Sequence, residues 1–319
     1  MLKDYVEPIR TKKVLSHPKI VKKGTIAVGV VESTPVVWKG RLLRFEWLHG
    51  RAWANENNKI GIEEGCFHFV DMETNEYTQP FAIGYSFGCA HVENEKMYVF
   101  GTRGDAAGHA IDTFVSTDLV SWEKIGELEV PDEFTIYNTS VCKGKDKYVM
   151  AIEMGGKNPL IGTVFTCFFA ESQDLANWTL LSMDKYEYSK ERYTACPVIR
   201  YCNDYYYMIY LERMPLHRYV PYIVRTKDFE IFELGLQSPV LWFDDNDRIL
   251  YKKEWFTDEE KKLIDSSINL NNSDVDLCEY EGKTVILYSW GNQYTQEFLA
   301  RAEYDGSVEE FLESYFDIT

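Results

Sequence analysis

The chain contains no Cys-x-x-Cys pair, no phosphate-binding loop, no dinucleotide fingerprint and no zinc motif. Nucleotide-driven chemistry and a zinc centre of the usual spacing therefore have no anchor in it. Its seven cysteines are an odd number at no metal-like spacing. They read as reduced core fillers, with Cys142, Cys167, Cys196 and Cys202 in strand-like segments, and this fits a cytoplasm better than a disulfide framework. No apolar run reaches the roughly 18 residues that a membrane span needs, and Met1-Leu2-Lys3-Asp4-Tyr5-Val6 has no apolar signal core. A cytoplasmic location is expected, although a secreted protein trimmed of its signal peptide would read the same. Basic residues are scarce: 34 Lys and Arg stand against 51 Asp and Glu, a net charge of −17. Such a surface repels nucleic acid and anionic membranes, so neither is an expected partner. Proline and glycine are also few, 10 and 20 in 319 residues, while 15% of the chain is aromatic. That is a packed, strand-rich composition rather than a disordered one.

What the sequence does have is a repeated phrase. Ser116-Thr-Asp118-Leu119-Val-Ser-Trp122 recurs as Ser172-Gln-Asp174-Leu175-Ala-Asn-Trp178, and in worn form as Thr226-Lys-Asp228-Phe229-Glu-Ile-Phe232. A spacing of 56 and then 54 residues marks one supersecondary unit used again and again. The phrase itself reads as structural. Its Asp caps a turn through its own backbone, and its aromatic residue fills a wedge between units.

A hairpin pattern extends the repeat to five units. The pairs are Thr34–Trp38 with Arg41–Trp47, Cys89–Val92 with Lys96–Phe100, Thr139–Cys142 with Lys147–Glu153, Cys196–Ile199 with Tyr205–Glu212, and Asp274–Leu277 with Lys283–Trp290. Each is β-branched or aromatic and bounded by polar turn residues. With a third and fourth strand per unit, the expected fold is all-β: a single-domain five-bladed β-propeller over residues 1–319, of four-stranded sheets. Two capping boxes predict helices, Thr257…Glu260 in an insert before blade five and Ser307…Glu310 near the C-terminus. The last blade lacks a strand, so a segment within residues 1–30 is expected to supply it and close the ring.

In a propeller the first strand of each blade lines the channel, and its start shares a mouth with the end of the second strand. That mouth gathers carboxylates, Arg, His and Trp, the composition of a polar-ligand pocket, whereas the opposite mouth holds hairpin turns suited to plain solvation. Asp274 and Asp276 are candidates for a catalytic base, since they alternate along one strand and so point the same way. Glu212 and Glu153 end equivalent second strands and are candidates for the acid. Glu32 is a further candidate at the start of blade one. His91, on a channel strand, suits a proton donor, an ion ligand or a hydrogen-bonded core residue. Arg103, Arg192 and Arg213, with Arg218, suit a carboxylate or sulfate on an acidic sugar; they equally suit charge balance for the neighbouring acids. Trp53 and Trp290 suit a sugar-stacking platform or blade packing. No metal or cofactor is expected.

The hairpins resemble the Asp-Pro-x-Val/Ile…Gly-Lys-Tyr-Tyr pattern of the five-bladed glycoside hydrolases of family 43 and its relatives. Here the pattern stands as Thr34-Pro35-Val36-Val37 with Lys39-Gly40-Arg41, and as Cys196-Pro197-Val198-Ile199. The resemblance covers most of residues 30–305. It implies a glycosidase that uses a base Asp at the start of a first-blade strand, a second Asp that tunes the acid, and a Glu as general acid. Position 34 is Thr, so that set does not carry over intact. The expected function is carboxylate acid–base cleavage of a glycosidic bond in the central pocket, on a small-molecule carbohydrate. A carbohydrate-binding propeller without hydrolytic power is the alternative.

Overall fold

The computed structural model describes residues 18–49, 64–292 and 296–316. The chain begins with β1 (Ile20–Val28) and then lays down blades in order. Blade one is β2 (Thr34–Trp38), β3 (Arg41–Leu48) and β4 (Cys66–Asp71). Blade two is β5 (Tyr85–Glu93), β6 (Lys96–Arg103), β7 (Ala110–Ser116) and β8 (Glu123–Glu129). Blade three is β9 (Phe134–Lys143), β10 (Tyr148–Gly156), β11 (Thr166–Ser172) and β12 (Trp178–Leu180), with β13 (Glu187–Tyr188) also on β11. Blade four is β14 (Ala195–Cys202), β15 (Tyr205–Met214), β16 (Arg218–Thr226) and β17 (Phe232–Leu234). Blade five is β18 (Asn271–Tyr280), β19 (Lys283–Gly291) and β20 (Glu297–Tyr304). Every pair within a blade is antiparallel. This is the five-bladed propeller the repeat predicts.

Two hydrophobic edges had to be dealt with. β1 pairs with β20 from Ile20↔Tyr304 to Val28↔Phe298, so blade five is completed by the N-terminal strand. The insert then covers the outer edge of β1: Thr25 N–H donates to Ile249 O (2.6 Å) and Tyr251 N–H donates to Thr25 O (3.0 Å). Gly24, at φ +101°, lies so close to Ile249 that a Cβ would sit 2.0 Å from its carbonyl oxygen. Covering an edge in this way blocks pairing with other chains. Blade one departs from expectation. Among the described residues it has three strands, and the fourth place is taken by the run Thr78–Phe81, which is joined by backbone hydrogen bonds to Phe67 and Phe69.

The hairpin turns follow their residues. Lys39-Gly40, Asn94-Glu95, Asn203-Asp204 and Glu281-Gly282 all have both central φ angles positive, as type I′ turns require. The repeated phrase behaves identically in all three copies. The hydroxyls of Ser116, Ser172 and Thr226 accept from the N–H three residues on, at 2.8, 3.0 and 2.9 Å. Oδ1 of Asp118, Asp174 and Asp228 accepts from the next two turn N–H groups. This forces Leu119, Leu175 and Phe229 to φ near +60° and drives their side chains into the core. Each such burial contributes about 1.5–3 kcal/mol. The apolar residues form five clusters, one per wedge between neighbouring blades. Trp122 stacks on Phe81 at 3.8 Å in the first wedge, and Trp178 meets Phe100 edge-on at 5.6 Å in the second.

Both capping boxes form, and they open α1 (Asp258–Ser266) and α2 (Val308–Glu313). α2 seats Phe311 and Leu312 in the wedge between blades four and five. All seven cysteines are free thiols. Among the described residues no helix is long and apolar enough to cross a membrane.

Candidate active site

The inner strands break register at corresponding places. In blade three Tyr137 and Asn138 oppose the single residue Glu153; in blade four Cys196 and Pro197 oppose Tyr210; in blade five Asp274 and Val275 oppose Tyr288. These are β-bulges, which re-aim a side chain at the cost of a ladder bond. Cys196 (φ +47°), Asp274 (φ +50°) and Glu32 (φ +54°) all occupy the left-handed region. Each such non-glycine residue costs roughly 1 kcal/mol or more. Three of them meet at one point: Glu32, Cys196 and Asp274 bring their polar atoms within 4.8 Å of one another.

Asn138 ties this group to Glu153. Its Nδ2 donates to Glu32 Oε1 (3.0 Å) and Glu153 Oε2 (3.0 Å), and faces Cys196 Sγ at 3.3 Å. Cys196 N–H also donates to Glu153 Oε2 (2.8 Å). One amide group with two hydrogens thus meets three acceptors, while Glu32 Oε2 is buried without a donor. Such a cluster holds together only if it keeps protons. Burial, the Asp274 charge and the Glu153 charge push Glu32 well above the carboxylate range, against the Asn138 hydrogen bond. Burial raises Glu153 to about 7, against hydrogen bonds from Cys196 and Asn138. Burial and the Asp274 charge raise Glu297 to about 7. Asp274 is raised by burial but pulled back by the Cys196 thiol and by hydroxyls, including Ser273 Oγ at 3.0 Å. The spacing of Glu32, Cys196 and Asp274 would also admit a cation, yet burial and the surrounding carboxylates hold the Cys196 thiol firmly protonated, and a thiol must lose its proton to ligate.

The pocket is small. It is lined by Glu32, Thr34, Asn138, Cys196, Asp274 and Asp276 among others and has a volume of about 30 Å³. That is room for about two waters, not for a sugar ring. A substrate would therefore lie across the mouth and reach the acids with its reacting atoms only.

Several expected positions move. Asp276 lines the same pocket as Asp274 but is engaged at its floor. It forms an ion pair with Arg200, and its Oδ1 also accepts from Leu277 N–H. Thr34, at the place of the family's base, donates its hydroxyl to Asp276. The Asp276–Arg200 pair separates this pocket from a second cavity at the opposite mouth, of about 310 Å³. His91 lines that second cavity, on the far side from the acids. Burial and nearby Arg200 lower it to about 4, so it is a neutral imidazole. The opposite mouth is thus not merely solvated turns.

Trp290 is no platform. It is 1% exposed, stacks on Phe298 at 4.3 Å and donates Nε1–H to Thr25 Oγ1 (2.9 Å). Trp53 lies outside the described residues. Glu212 stands apart from the cluster, paired with Arg192 Nη1 at 2.9 Å and accepting from Tyr210 Oη at 3.1 Å. Arg103 is balanced by Asp112 (2.6 Å) and Glu127 (2.8 Å). Arg213 lies at the tip of the β15–β16 hairpin, its Nη2 3.2 Å from His217 Nδ1.

Glu297 and Cys196 were missing from the sequence candidates. The signal for Glu297 was available: a third strand starts at the same mouth where the second ends. For Cys196 the signal was the hairpin pattern, which puts it at the start of a channel strand, as it does Asp274.

No family model matches the chain, and no curated protein sequence is significantly similar to it. Solved structures are similar in shape. A glycoside hydrolase superposes with a TM-score of 0.57 at 13% identity, over 94% of each chain. The β-1,2-mannobiose phosphorylase from Listeria innocua, in complex with β-1,2-mannobiose, gives 0.56 at 12% identity, over 92% of this chain and 93% of that one. The family 32 β-fructofuranosidase from Bombyx mori, in complex with sucrose, gives 0.53 at 13% identity, over 93% of this chain and 65% of that one. The fold is that of the five-bladed propeller glycoside hydrolases. At such identities the likeness speaks for the architecture, and the chemistry has to be argued from the residues at the mouth.

Proposed function

We propose that the protein is a glycoside hydrolase whose catalytic centre is the Glu32–Asp274 pair, supported by Glu153 and Asn138. The observation that carries this reading is the convergence of carboxylates from blades one, three and five on one point, with Glu32 and Asp274 both held in the left-handed region. Strain of this kind is retained where a site needs it. The structural neighbours act on sugars by their names, which favours a carbohydrate substrate.

The roles follow from the partners. Asp274 receives hydroxyl and thiol donors and is the better carboxylate. Glu32 has a buried oxygen without a donor and is the better acid. Oxygens within 4.8 Å match the close-set carboxyls of retaining enzymes, about 5–5.5 Å, and not the roughly 6.5–9.5 Å of inverting ones. In this reading Asp274 attacks the anomeric carbon while Glu32 gives its proton to the departing oxygen. Water then takes the sugar from Asp274, and Glu32 recovers a proton from that water. Asp276, fixed by Arg200, holds the pocket floor and takes no part in proton transfer.

A screen of aryl glycosides with wild type, Asp274→Asn and Glu32→Gln tests this. Turnover that falls about 10³-fold in either variant supports the reading. Turnover that survives both removes it. The second reading, a sugar-binding propeller without turnover, draws on Thr34 and on the 30 Å³ pocket; sugar binding with no hydrolysis across the screen would favour it.

A further inference from the structure

Every described arginine but two has a carboxylate within salt-bridge distance. The two are Arg213 and Arg218, which flank the tip of the β15–β16 hairpin, Met214 pairing with Arg218 across it. In a chain of net charge −17 an arginine without an acid is not explained by charge balance. Arg213 is exposed, and among the described residues its hydrogen-bond neighbour is His217. Arg218 lies 5.3 Å over the ring of Phe243, and its Nε is buried with no acceptor. Phe243 stacks on Trp242 at 4.8 Å, and Trp242 is 46% exposed.

This tip stands at the acid mouth. Tyr219, next to Arg218, packs against Tyr193 at 5.3 Å. The Tyr193 hydroxyl in turn lies in the field of Glu153, Cys196 and Asp274, which together with burial push its pKa up. Tyr219 is paired with Arg213 across the hairpin, so the two share a face. By strand alternation Arg213 and Arg218 leave opposite faces of the hairpin. They are placed to meet two charges along a chain rather than to pinch one.

We propose that the β15–β16 tip recognises the carboxylates of an acidic saccharide, a uronic-acid oligomer, with Trp242 and Phe243 as its stacking surface. The inference rests on the carbohydrate reading above and names the substrate class of the same mouth. Guanidinium forks bind carboxylates with charge-assisted bonds, and the loss of each weakens binding about 10- to 100-fold.

The test is calorimetric titration of the full chain with oligogalacturonate, oligomannuronate and oligoglucuronate, each beside its carboxyl-reduced neutral form. One acidic member should bind at least about tenfold tighter than its reduced form. Raising the salt should weaken it, and Arg213→Gln with Arg218→Gln should abolish the preference while the unfolding temperature stays put. No acidic preference in any pair, or a preference that outlives both substitutions, overturns the proposal. So does competition by inorganic phosphate that also speeds cleavage, since the arginines would then hold a phosphate. Acidic binding without turnover leaves this inference standing and defeats the hydrolase; turnover without acidic preference does the reverse.

Discussion

Replacing Glu153 by glutamine should stabilise the protein at pH 8 and do much less at pH 5. Glu153 is 2% exposed, and burial lifts its carboxyl to about 7 from an ordinary 4.5. Between those values the folded chain holds a proton that the unfolded chain has lost. The stability this contributes is full below about pH 4.5 and is lost as pH rises through about 7. At about 1.4 kcal/mol per unit, the ionised group costs about 3 kcal/mol at pH 8 and about 1 kcal/mol at pH 5. Glutamine carries no charge at either pH. The bonds from Asn138 Nδ2 and Cys196 N–H fall on Oε2, so an amide oxygen can take them. Urea unfolding of both proteins at the two pH values gives the comparison directly. For a chain of this size the pH 8 gain corresponds to about 4 °C in melting temperature. Equal shifts at both pH values, or a loss at pH 8, would refute the account of this carboxylate.

Arg200→Met should leave Asp276 charged and uncompensated at the pocket floor, and cost about 3 kcal/mol in denaturant unfolding; the double change with Asp276→Leu should recover most of it. Trp290→Ala should cost about 3–5 kcal/mol by emptying a buried wedge, with sugar affinity of the folded protein unchanged, whereas Trp242→Ala should reduce affinity and leave stability alone. A chain that starts at Gly29 lacks β1, so the edge of β20 is open; size-exclusion chromatography should find it associated or aggregated rather than monodisperse.

Much of the architecture was legible because it is written in residues that act locally. The Ser-x-Asp-Leu phrase closes its own turn, Lys39-Gly40 and Glu281-Gly282 set their own hairpins, and Thr257 and Ser307 cap their own helices. Closure by the N-terminal strand was legible from an absence, the strand missing after β20. The site was legible as a mouth but not as a constellation. Strand alternation put Asp276 beside Asp274 and both line the pocket, but Arg200, from another blade, takes up Asp276. Trp290 and Glu212 sit at the right height on their strands but face a wedge and Arg192. His91 has the right strand and the wrong end. For Asp276, Trp290 and Glu212 the sequence carries the height along the channel, while the partner each side chain meets is set by other strands and blades.

The central claim is that sugars are cleaved where Glu32, Glu153 and Asp274 converge. A crystal of the Asp274→Asn variant soaked with a substrate from the glycoside screen tests it most directly. The sugar should lie across this mouth, with its glycosidic oxygen in hydrogen-bond reach of Glu32 and its anomeric carbon facing residue 274. A sugar held in the opposite cavity beside His91, or on the outer strands, would contradict it.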